Sequence, residues 1–262
     1  MTFSFDLISD LHIETWPNFD WSGQATSPYC VVAGDVSRDH EIVRETLEHL
    51  GKCYQAVFYI DGNDEHRYTL DNLGSSYKLL SQNVSNIPNV VYLQDNVVIV
   101  NGVAFLATNG WWTFDFDKNL DYNQSQQWFI DRYQTLLGTA DAIAGVAFND
   151  VAYMVNSVRK LQYHQDVKAI VLVTHTVPAP WLVNHDYDLI DTWKFNTLGN
   201  LHMRLVLDED TENKIKVWCF GHYHRGVDRY QNKLRYVNNC RGRGDSDWKQ
   251  DPYYPKRIVI DF

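Results

Sequence analysis

The sequence predicts a layered α/β fold, and two observations support this class. Short apolar runs typical of buried strands recur along the chain, and polar side chains follow them. Between the early runs, apolar residues are spaced as on one face of a helix, at positions 42–50 and again at 70–80. Because strand, loop and helix alternate, we expect helices packed against a sheet.

The sequence predicts the order of the strands and helices along the chain. Apolar runs predict strands at 4–8, 29–33 and 56–60, and the helix that begins at Asp39 is expected to stop at Gly51. Asn101-Gly102, between two further apolar runs, is a strong signal for a hairpin. A long helix is predicted across 143–161. Further strands are predicted at 169–173, 217–220, 234–237 and 257–260.

An aromatic stretch interrupts this pattern between the hairpin and the long helix. Part of it shares a helical face, but Trp111, Trp112, Phe114 and Phe116 follow no helical spacing. Core packing is the favoured explanation. A rim that stacks on a ring of the substrate is the alternative. We therefore predict a single domain over 1–262 with a helical and aromatic insert at about 111–165.

Composition narrows the class of protein. Hydrophobic residues make up 45% of the 262 residues, which excludes a disordered chain. The net charge of −10 disfavours broad, non-specific binding to nucleic acid, although the segment 225–262 is locally basic. The amino terminus shows no secretory signal, no apolar run is long enough to span a membrane, and the four cysteines lack C-x-x-C spacing. We expect a cytoplasmic protein with reduced thiols.

Candidate metal ligands follow five of the predicted strands. Open α/β sheets place their binding crevice at the carboxyl ends of the strands, so these side chains are expected to lie together. They comprise two carboxylates, one amide and four imidazoles, and they include no cysteine. The seven candidates are Asp10, His12, Asp35, Asn63, His175, His222 and His224.

This mixture of oxygen and nitrogen donors suits Mn²⁺, Fe²⁺ or Zn²⁺ better than a metal that prefers thiolates. Seven donors are too many for one tetrahedral ion, but they suffice for two ions if one carboxylate bridges. Two ions about 3.5–4 Å apart can hold a hydroxide between them and clamp a phosphate for in-line displacement. The donor set therefore predicts phosphate chemistry.

The order of the motifs resembles that of the calcineurin-like metallophosphoesterases. The resemblance runs from Asp10 to Gly242, because the segment 236–242 also looks like the one that follows the last motif in that family. The five motifs are Asp10-Leu11-His12, Gly34-Asp35-Val36-Ser37-Arg38, Gly62-Asn63-Asp64-Glu65, Thr174-His175 and Gly221-His222-Tyr223-His224.

The resemblance implies a four-layer αββα sandwich of two mixed β-sheets flanked by helices. It also implies two divalent metal ions, Mn²⁺ first, with iron, zinc or magnesium as alternatives. Arg38 is expected to form a salt bridge or to steady its loop. One ion would be held by Asp10, His12, Asp35 and His224, and the other by Asp35, Asn63, His175 and His222.

One position departs from the family pattern. The family usually has histidine where this chain has Asp64, and that histidine is thought to protonate the leaving group or to stabilise the transition state. An aspartate beside two cations should be ionised, so it would be a poor acid and would repel phosphate. His66 could take over its role, and Arg241 could stabilise the developing charge. Asp64, His66 and Arg241 are therefore the candidate catalytic residues.

The function expected from these observations is that of a metal-dependent phosphoesterase. It would hydrolyse a phosphodiester or a phosphomonoester, in a small molecule or a nucleotide, by attack of a hydroxide that bridges the two ions. One alternative is a scaffold or interaction protein that keeps the fold with weak or lost catalysis, and Asp64 is the feature that favours it. A nuclease is the other, supported only by the basic carboxyl-terminal segment.

Overall fold

Eleven strands and four α-helices are found in the part of the chain that the structure describes. The computed structural model describes residues 2–67, 73–183, 192–246 and 249–262, with the backbone alone at 134–137. In chain order the elements are β1 (Thr2–Ile8), β2 (Tyr29–Ala33), α1 (His40–Cys53), β3 (Ala56–Ile60), α2 (Leu73–Val84), β4 (Val90–Tyr92), β5 (Asn96–Val100), β6 (Val103–Ala107), α3 (Tyr122–Leu137), α4 (Ala140–Gln162), β7 (Ala169–Val173), β8 (Ile215–Phe220), β9 (Val227–Gln231), β10 (Leu234–Asn238) and β11 (Lys256–Asp261).

The strands form two mixed sheets. The first has the order β11-β1-β2-β3-β4, and only β11 is antiparallel to its neighbour. The second has the order β5-β6-β7-β8-β10-β9, with antiparallel strands at both edges and parallel pairing between. These sheets confirm the predicted α/β sandwich.

Three apolar layers hold the sandwich together. Between the sheets, Phe5 and Phe58 of the first pack on Phe105 of the second, and the Phe58 and Phe105 ring centroids lie 4.4 Å apart. The outer face of the first sheet is covered by α1 and α2. The outer face of the second is covered by α4, through residues such as Met154 and Val158. The order of layers is therefore helix, sheet, sheet, helix.

Local signals in the sequence account for several element boundaries. Asp39 caps α1, since its side chain accepts from the Glu41 backbone N–H at 2.9 Å. The helix runs two residues past the expected stop at Gly51, where the close Pro88 carbonyl leaves no room for a side chain. Asn101 and Gly102 have φ of 50° and 82° and turn the predicted hairpin between β5 and β6.

The aromatic stretch belongs to the core. Trp111, Trp112, Phe114 and Phe116 are at most 3% exposed, as core packing predicts. The segment 111–165 contributes α3 and α4, and its role as an insert in a single domain stays a prediction. Position 70, part of the predicted second helical pattern, lies outside the described residues. The four cysteines are free thiols. None of the described helices is both long and apolar enough to cross a membrane.

Candidate metal centre

The ends of β1, β2, β3, β7 and β8 meet at one edge of the sandwich. Backbone hydrogen bonds join their loops: the Asp10 N–H donates to the Gly34 carbonyl at 2.9 Å, and the Gly221 N–H donates to the His175 carbonyl at 2.8 Å. All seven candidate ligands lie at this edge, where all but His222 and His224 are buried. The strands thus deliver the side chains to one place.

We call the first group of side chains cluster A: Asp10, His12, Asp35 and His224. It offers one ligand atom from each, and these atoms lie within 4.8 Å of one another. The His12 and His224 Nε2 atoms are 2.9 Å apart. His224 Nε2 lies 3.3 Å from Asp10 Oδ1, and His12 Nε2 lies 3.7 Å from Asp35 Oδ2.

Cluster B consists of Asp35, Asn63, His175 and His222. Atoms of Asp35, His175 and His222 again lie within 4.8 Å of one another. His175 Nε2 is 3.4 Å from Asp35 Oδ1 and 3.2 Å from Asn63 Oδ1. Asp35 thus takes part in both clusters, one oxygen facing each. The arrangement is the one that the resemblance implies, and the role of these residues as ligands stays a prediction.

The imidazoles of cluster B are oriented by backbone carbonyls. His175 Nδ1 lies 2.9 Å from the Ala33 oxygen, and His222 Nε2 lies 3.0 Å from the Thr197 oxygen. A nitrogen that faces a carbonyl must carry the proton, so the other nitrogen of each ring presents a lone pair. Burial holds the pKa of His222 well below its ordinary value, which keeps that ring neutral. Both rings are therefore set to bind a cation.

The carboxylates of the centre stabilise positive charge on the groups around them. Burial alone would raise the pKa of Asp10, but the hydrogen bond and charge of His224 and the nearby His175 outweigh it, and the pKa is lowered. Burial likewise lowers the pKa of His175, yet Asp35 and Asp10 outweigh it and raise that pKa. Each group thus stabilises a charge of the opposite sign in its neighbours. Buried carboxylates beside imidazole nitrogens fit divalent cations.

The backbone is unusual at the candidate ligands. Five of the seven have left-handed conformations that non-glycine residues adopt uncommonly and at a cost. Gly62 is also required, since a Cβ there would lie 2.1 Å from Asp35 Oδ1. The left-handed conformations turn each loop sharply after its strand and aim the side chains at the shared centre. The residues, with φ between 43° and 65°, are Asp10, His12, Asp35, His222 and His224.

Glu65, the last residue of its motif, ties two of these loops together. Its carboxylate accepts from the backbone N–H groups of Asp35 at 3.1 Å, Val36 at 2.7 Å and Gly62 at 2.9 Å. Burial and the charge of Asp35 raise its pKa well above the ordinary value. Glu65 thus positions Asp35 and is not itself among the groups that could hold a metal.

Asp64 is buried under a group of arginines. Its Oδ2 lies 3.1 Å from Arg38 Nε and contacts Arg243 Nη2, while its Oδ1 lies 2.9 Å from Arg67 Nε. Oδ2 also lies 3.4 Å from His12 Nδ1. Burial raises the pKa of Asp64, but His12, Arg67 and Arg243 together lower it well below its usual range. Asp64 is ionised, and Arg38 makes its expected salt bridge here.

The other two candidate catalytic residues face elsewhere. His66 is buried, with Nε2 2.8 Å from Asp61 Oδ2 and Nδ1 2.7 Å from Ser76 Oγ, so its ring is engaged beneath the site. The Arg241 guanidinium lies 3.9 Å over the Trp16 ring and does not line the cavity at the metal centre. The catalytic roles proposed for these residues stay predictions, and neither side chain lines the cavity at the metal centre.

A cavity of about 320 Å³ opens over the two clusters. Asp35, Asn63, His222 and His224 lie at its base, together with Asp64. Its other lining residues are partly aromatic and partly cationic. Sequence reasoning missed the cations. The local basicity of 225–262 covers only two of them and did not single out a residue. The cations are Arg67, Lys194, Arg225 and Arg243.

Comparison with known proteins identifies the fold. No protein-family model matches the sequence, and no relative is found among curated proteins. Among solved structures, phosphopantetheinyl hydrolase from Mycobacterium tuberculosis is similar over 97% of this chain and 95% of its own, with a TM-score of 0.71 and 18% identity. A dimetal phosphatase from Danio rerio is similar over 90% and 86%, with a TM-score of 0.52 and 12% identity.

GAP50, the anchor in the inner membrane complex of Plasmodium, is similar over 98% of this chain and 81% of its own, with a TM-score of 0.50 and 13% identity. At such identities the likeness is one of fold, and the same fold serves phosphoesterases and an anchor. The chain has the calcineurin-like metallophosphoesterase fold, as the motifs predict.

Proposed function

We propose that the protein is a phosphoesterase that uses two divalent metal ions, Mn²⁺ in the first place, to hydrolyse a phosphodiester or a phosphomonoester. One observation carries the proposal: Asp35 turns one oxygen to each of two groups of donors. A shared carboxylate is what a pair of ions held close together requires. Bound there, two divalent cations would neutralise a phosphate and lower the pKa of a water molecule.

The residues of the chain hold and orient the reactants. Cluster A and cluster B would each hold one cation, with the rings of His175 and His222 fixed by the Ala33 and Thr197 carbonyls. The cationic side chains around the cavity attract an anionic ester. Asp64 was expected to repel phosphate, but its charge is more than offset by the guanidiniums that contact it.

Neither Asp64 nor His66 is suited to protonate a leaving group. The pKa of Asp64 is held low, mainly by His12 and Arg67 acting against burial, and His66 is engaged with Asp61 and Ser76. The proposed enzyme should therefore prefer substrates with good leaving groups. A series of aryl phosphates with rising leaving-group pKa should show a steep fall in rate. Replacing Asp64→His should flatten that fall, and an unchanged series would count against this part of the proposal.

Hydrolysis of bis(p-nitrophenyl) phosphate with added Mn²⁺ tests the main proposal. The wild-type protein should show a rate that EDTA abolishes and Mn²⁺ restores. The variant Asp35→Asn should lose this rate on the order of 10³-fold with the ion present. Arg44→Gln is a matched control, because Arg44 pairs with Glu48 on the exposed face of α1. A wild-type rate no higher than that of Asp35→Asn would favour the scaffold function instead.

A substrate panel would narrow the class. Phosphopantetheinyl esters are the first substrates to test, because the fold of phosphopantetheinyl hydrolase is similar to this chain over nearly the whole length of both proteins. Cyclic nucleotides, dinucleoside polyphosphates, phosphopeptides and single-stranded nucleic acid complete the panel. Preference for single-stranded nucleic acid would favour a nuclease, against which the net charge of −10 already argues.

A further inference from the structure

We propose that Arg67 and Arg243, held in place by Asp64, bind a second anionic group of the substrate, apart from the phosphate at the metal centre. The substrate class would then be phosphate esters that carry another phosphate or phosphonate. This inference rests on the proposed function, because both residues line the cavity above the candidate ligands. Asp64 acts as a positioning residue in this arrangement.

The first argument is the charge in the cavity. Two divalent cations with Asp10 and Asp35 leave two positive charges, which the dianion of a single phosphate monoester matches. Arg67 and Arg243 both face the one carboxylate of Asp64, which Arg38 also contacts, so at least one further positive charge is left over. One phosphate at the metals does not balance this second excess, whereas an additional anion does.

The second argument is the donor geometry. Asp64 engages Arg67 through Nε and Arg243 through Nη2. A guanidinium has five N–H donors in a fixed plane, so most of each group is not used by Asp64. The Arg67 guanidinium also lies 5.4 Å from the Tyr133 ring centroid, which fixes its orientation. Such planar donors match the oxygens of a phosphate in pairs.

The third argument is partial burial. The Arg67 and Arg243 side chains are 16% and 22% exposed, so they are accessible from the cavity yet shielded from most solvent. Interactions between charges are stronger under these conditions than at an open surface.

Asp64 also fixes where these arginines sit relative to the metal centre. Its backbone N–H donates to Asp35 Oδ1 at 2.8 Å, and its Oδ2 lies 3.4 Å from His12 Nδ1. The same side chain thus faces a ligand cluster on one side and the guanidiniums on the other. The spacing between the two anion sites is therefore set by one residue.

Isothermal titration of the Mn²⁺-loaded protein with phosphonates tests the inference without turnover. Alkane-α,ω-bisphosphonates with two, three and four carbons are compared with alkyl monophosphonates of the same lengths. For one of the lengths, the wild-type protein should bind the bisphosphonate about tenfold or more tightly than the monophosphonate, because charged hydrogen bonds are added. Arg67→Gln and Arg243→Gln should each remove most of this ratio, and Arg44→Gln should leave it intact.

Asp64→Asn should lower the same ratio, because the arginines lose the charge that holds them together. A thermal melt accompanies each variant, and the two arginine variants carry the test if Asp64→Asn does not fold. A wild-type ratio near one at every length would overturn the inference. So would an equal loss of mono- and bisphosphonate affinity in the arginine variants, which would place the guanidiniums on the metal-centre phosphate.

The outcome is separable from that of the proposed function. Hydrolysis of bis(p-nitrophenyl) phosphate depends on the metal clusters. It can be present while the protein binds bisphosphonates no more tightly than monophosphonates. Conversely, a large ratio in a protein with no hydrolysis would support the anion site and reject the esterase.

Discussion

Clusters A and B share Asp35 but are supported in different ways. In cluster B, backbone carbonyls of Ala33 and Thr197 orient the two imidazoles. In cluster A, His12 turns Nδ1 toward the side chain of Asp64, and the His224 side chain is 24% exposed. The imidazoles of cluster B are thus oriented by the main chain, whereas His12 of cluster A faces a side chain.

This difference teaches which half of the centre is preformed. Backbone carbonyls stay in place when a neighbouring side chain changes, so cluster B should keep its geometry in most variants. Cluster A shares Asp64 with Arg38, Arg67 and Arg243, so its support also serves the cavity. We expect cluster B to bind its ion more tightly than cluster A.

The largest effect should follow from removing the shared residue. Asp35→Asn takes a charged oxygen from both clusters, so the ion content should fall from two per chain and hydrolysis should drop on the order of 10³-fold. Elemental analysis after gel filtration, together with the bis(p-nitrophenyl) phosphate assay, measures both. Retention of two ions would show that Asp35 does not bridge.

Variants that lack a single imidazole should have the next largest effect, because each removes a candidate ligand from one cluster only. His175→Asn should cost cluster B its ion, and His224→Asn should cost cluster A its ion, each with a loss of about 10²-fold in rate. Titration with Mn²⁺ should then leave the tighter binding event in His224→Asn and the weaker one in His175→Asn. The reverse assignment would contradict the ranking of the two clusters.

A smaller effect is expected at Asp64, which faces His12 of cluster A and also accepts from Asn63 Nδ2 of cluster B at 3.0 Å. Asp64→Asn should weaken the weaker Mn²⁺ binding event about tenfold, as changes behind a ligand typically do. The tighter event should weaken less, because backbone carbonyls still orient both imidazoles of cluster B. The same titration provides the measurement. Equal weakening of both events would show that Asp64 acts on the centre as a whole.

The last effect concerns the stability of the folded chain at a buried carboxyl group, rather than metal binding. Asp150 accepts from the Gly110 and Trp111 backbone N–H groups at 2.8 and 3.2 Å, next to Trp112, and burial raises its pKa to about 7. The folded state then holds a proton that the unfolded state releases near pH 4. Stability is therefore lost as pH rises between these values.

Asp150→Asn should remove this dependence. Between pH 5 and 7, the free energy of unfolding of the variant should improve relative to wild type by about 2 kcal/mol, since the amide cannot ionise. Urea unfolding of both proteins at the two pH values measures the difference. A constant difference between the proteins would show that Asp150 does not titrate in this range.

The sequence predicts the two clusters far better than the cavity above them. Each candidate ligand follows an apolar strand closely, so strand geometry alone brings Asp10, Asp35 and His175 to one edge. The cavity residues have no such relation to a strand. Arg241 and Arg243 lie two positions apart in one loop, yet one packs on Trp16 and the other reaches Asp64.

A similar reason explains why His66 does not line the cavity, while its role as a substitute for the missing histidine stays a prediction. The residues Asp64–His66 form a single turn of 3₁₀-helix, which sends Asp64 toward the arginines and His66 into the interior. Spacing of two residues does not reveal such a turn, because its direction depends on contacts with Asp61 and Ser76 from other elements. Local patterns therefore predict the ligands, and tertiary contacts decide their neighbours.

The position of Trp112 gives the protein an internal optical reporter. Its ring stacks on the imidazole of His222 with centroids 5.6 Å apart and planes 19° apart. A paramagnetic ion that settles beside His222 would quench the emission of this indole, while an ion in the other cluster would affect it less. Binding of a paramagnetic ion at cluster B can thus be distinguished from binding at cluster A by the tryptophan fluorescence of the unlabelled protein.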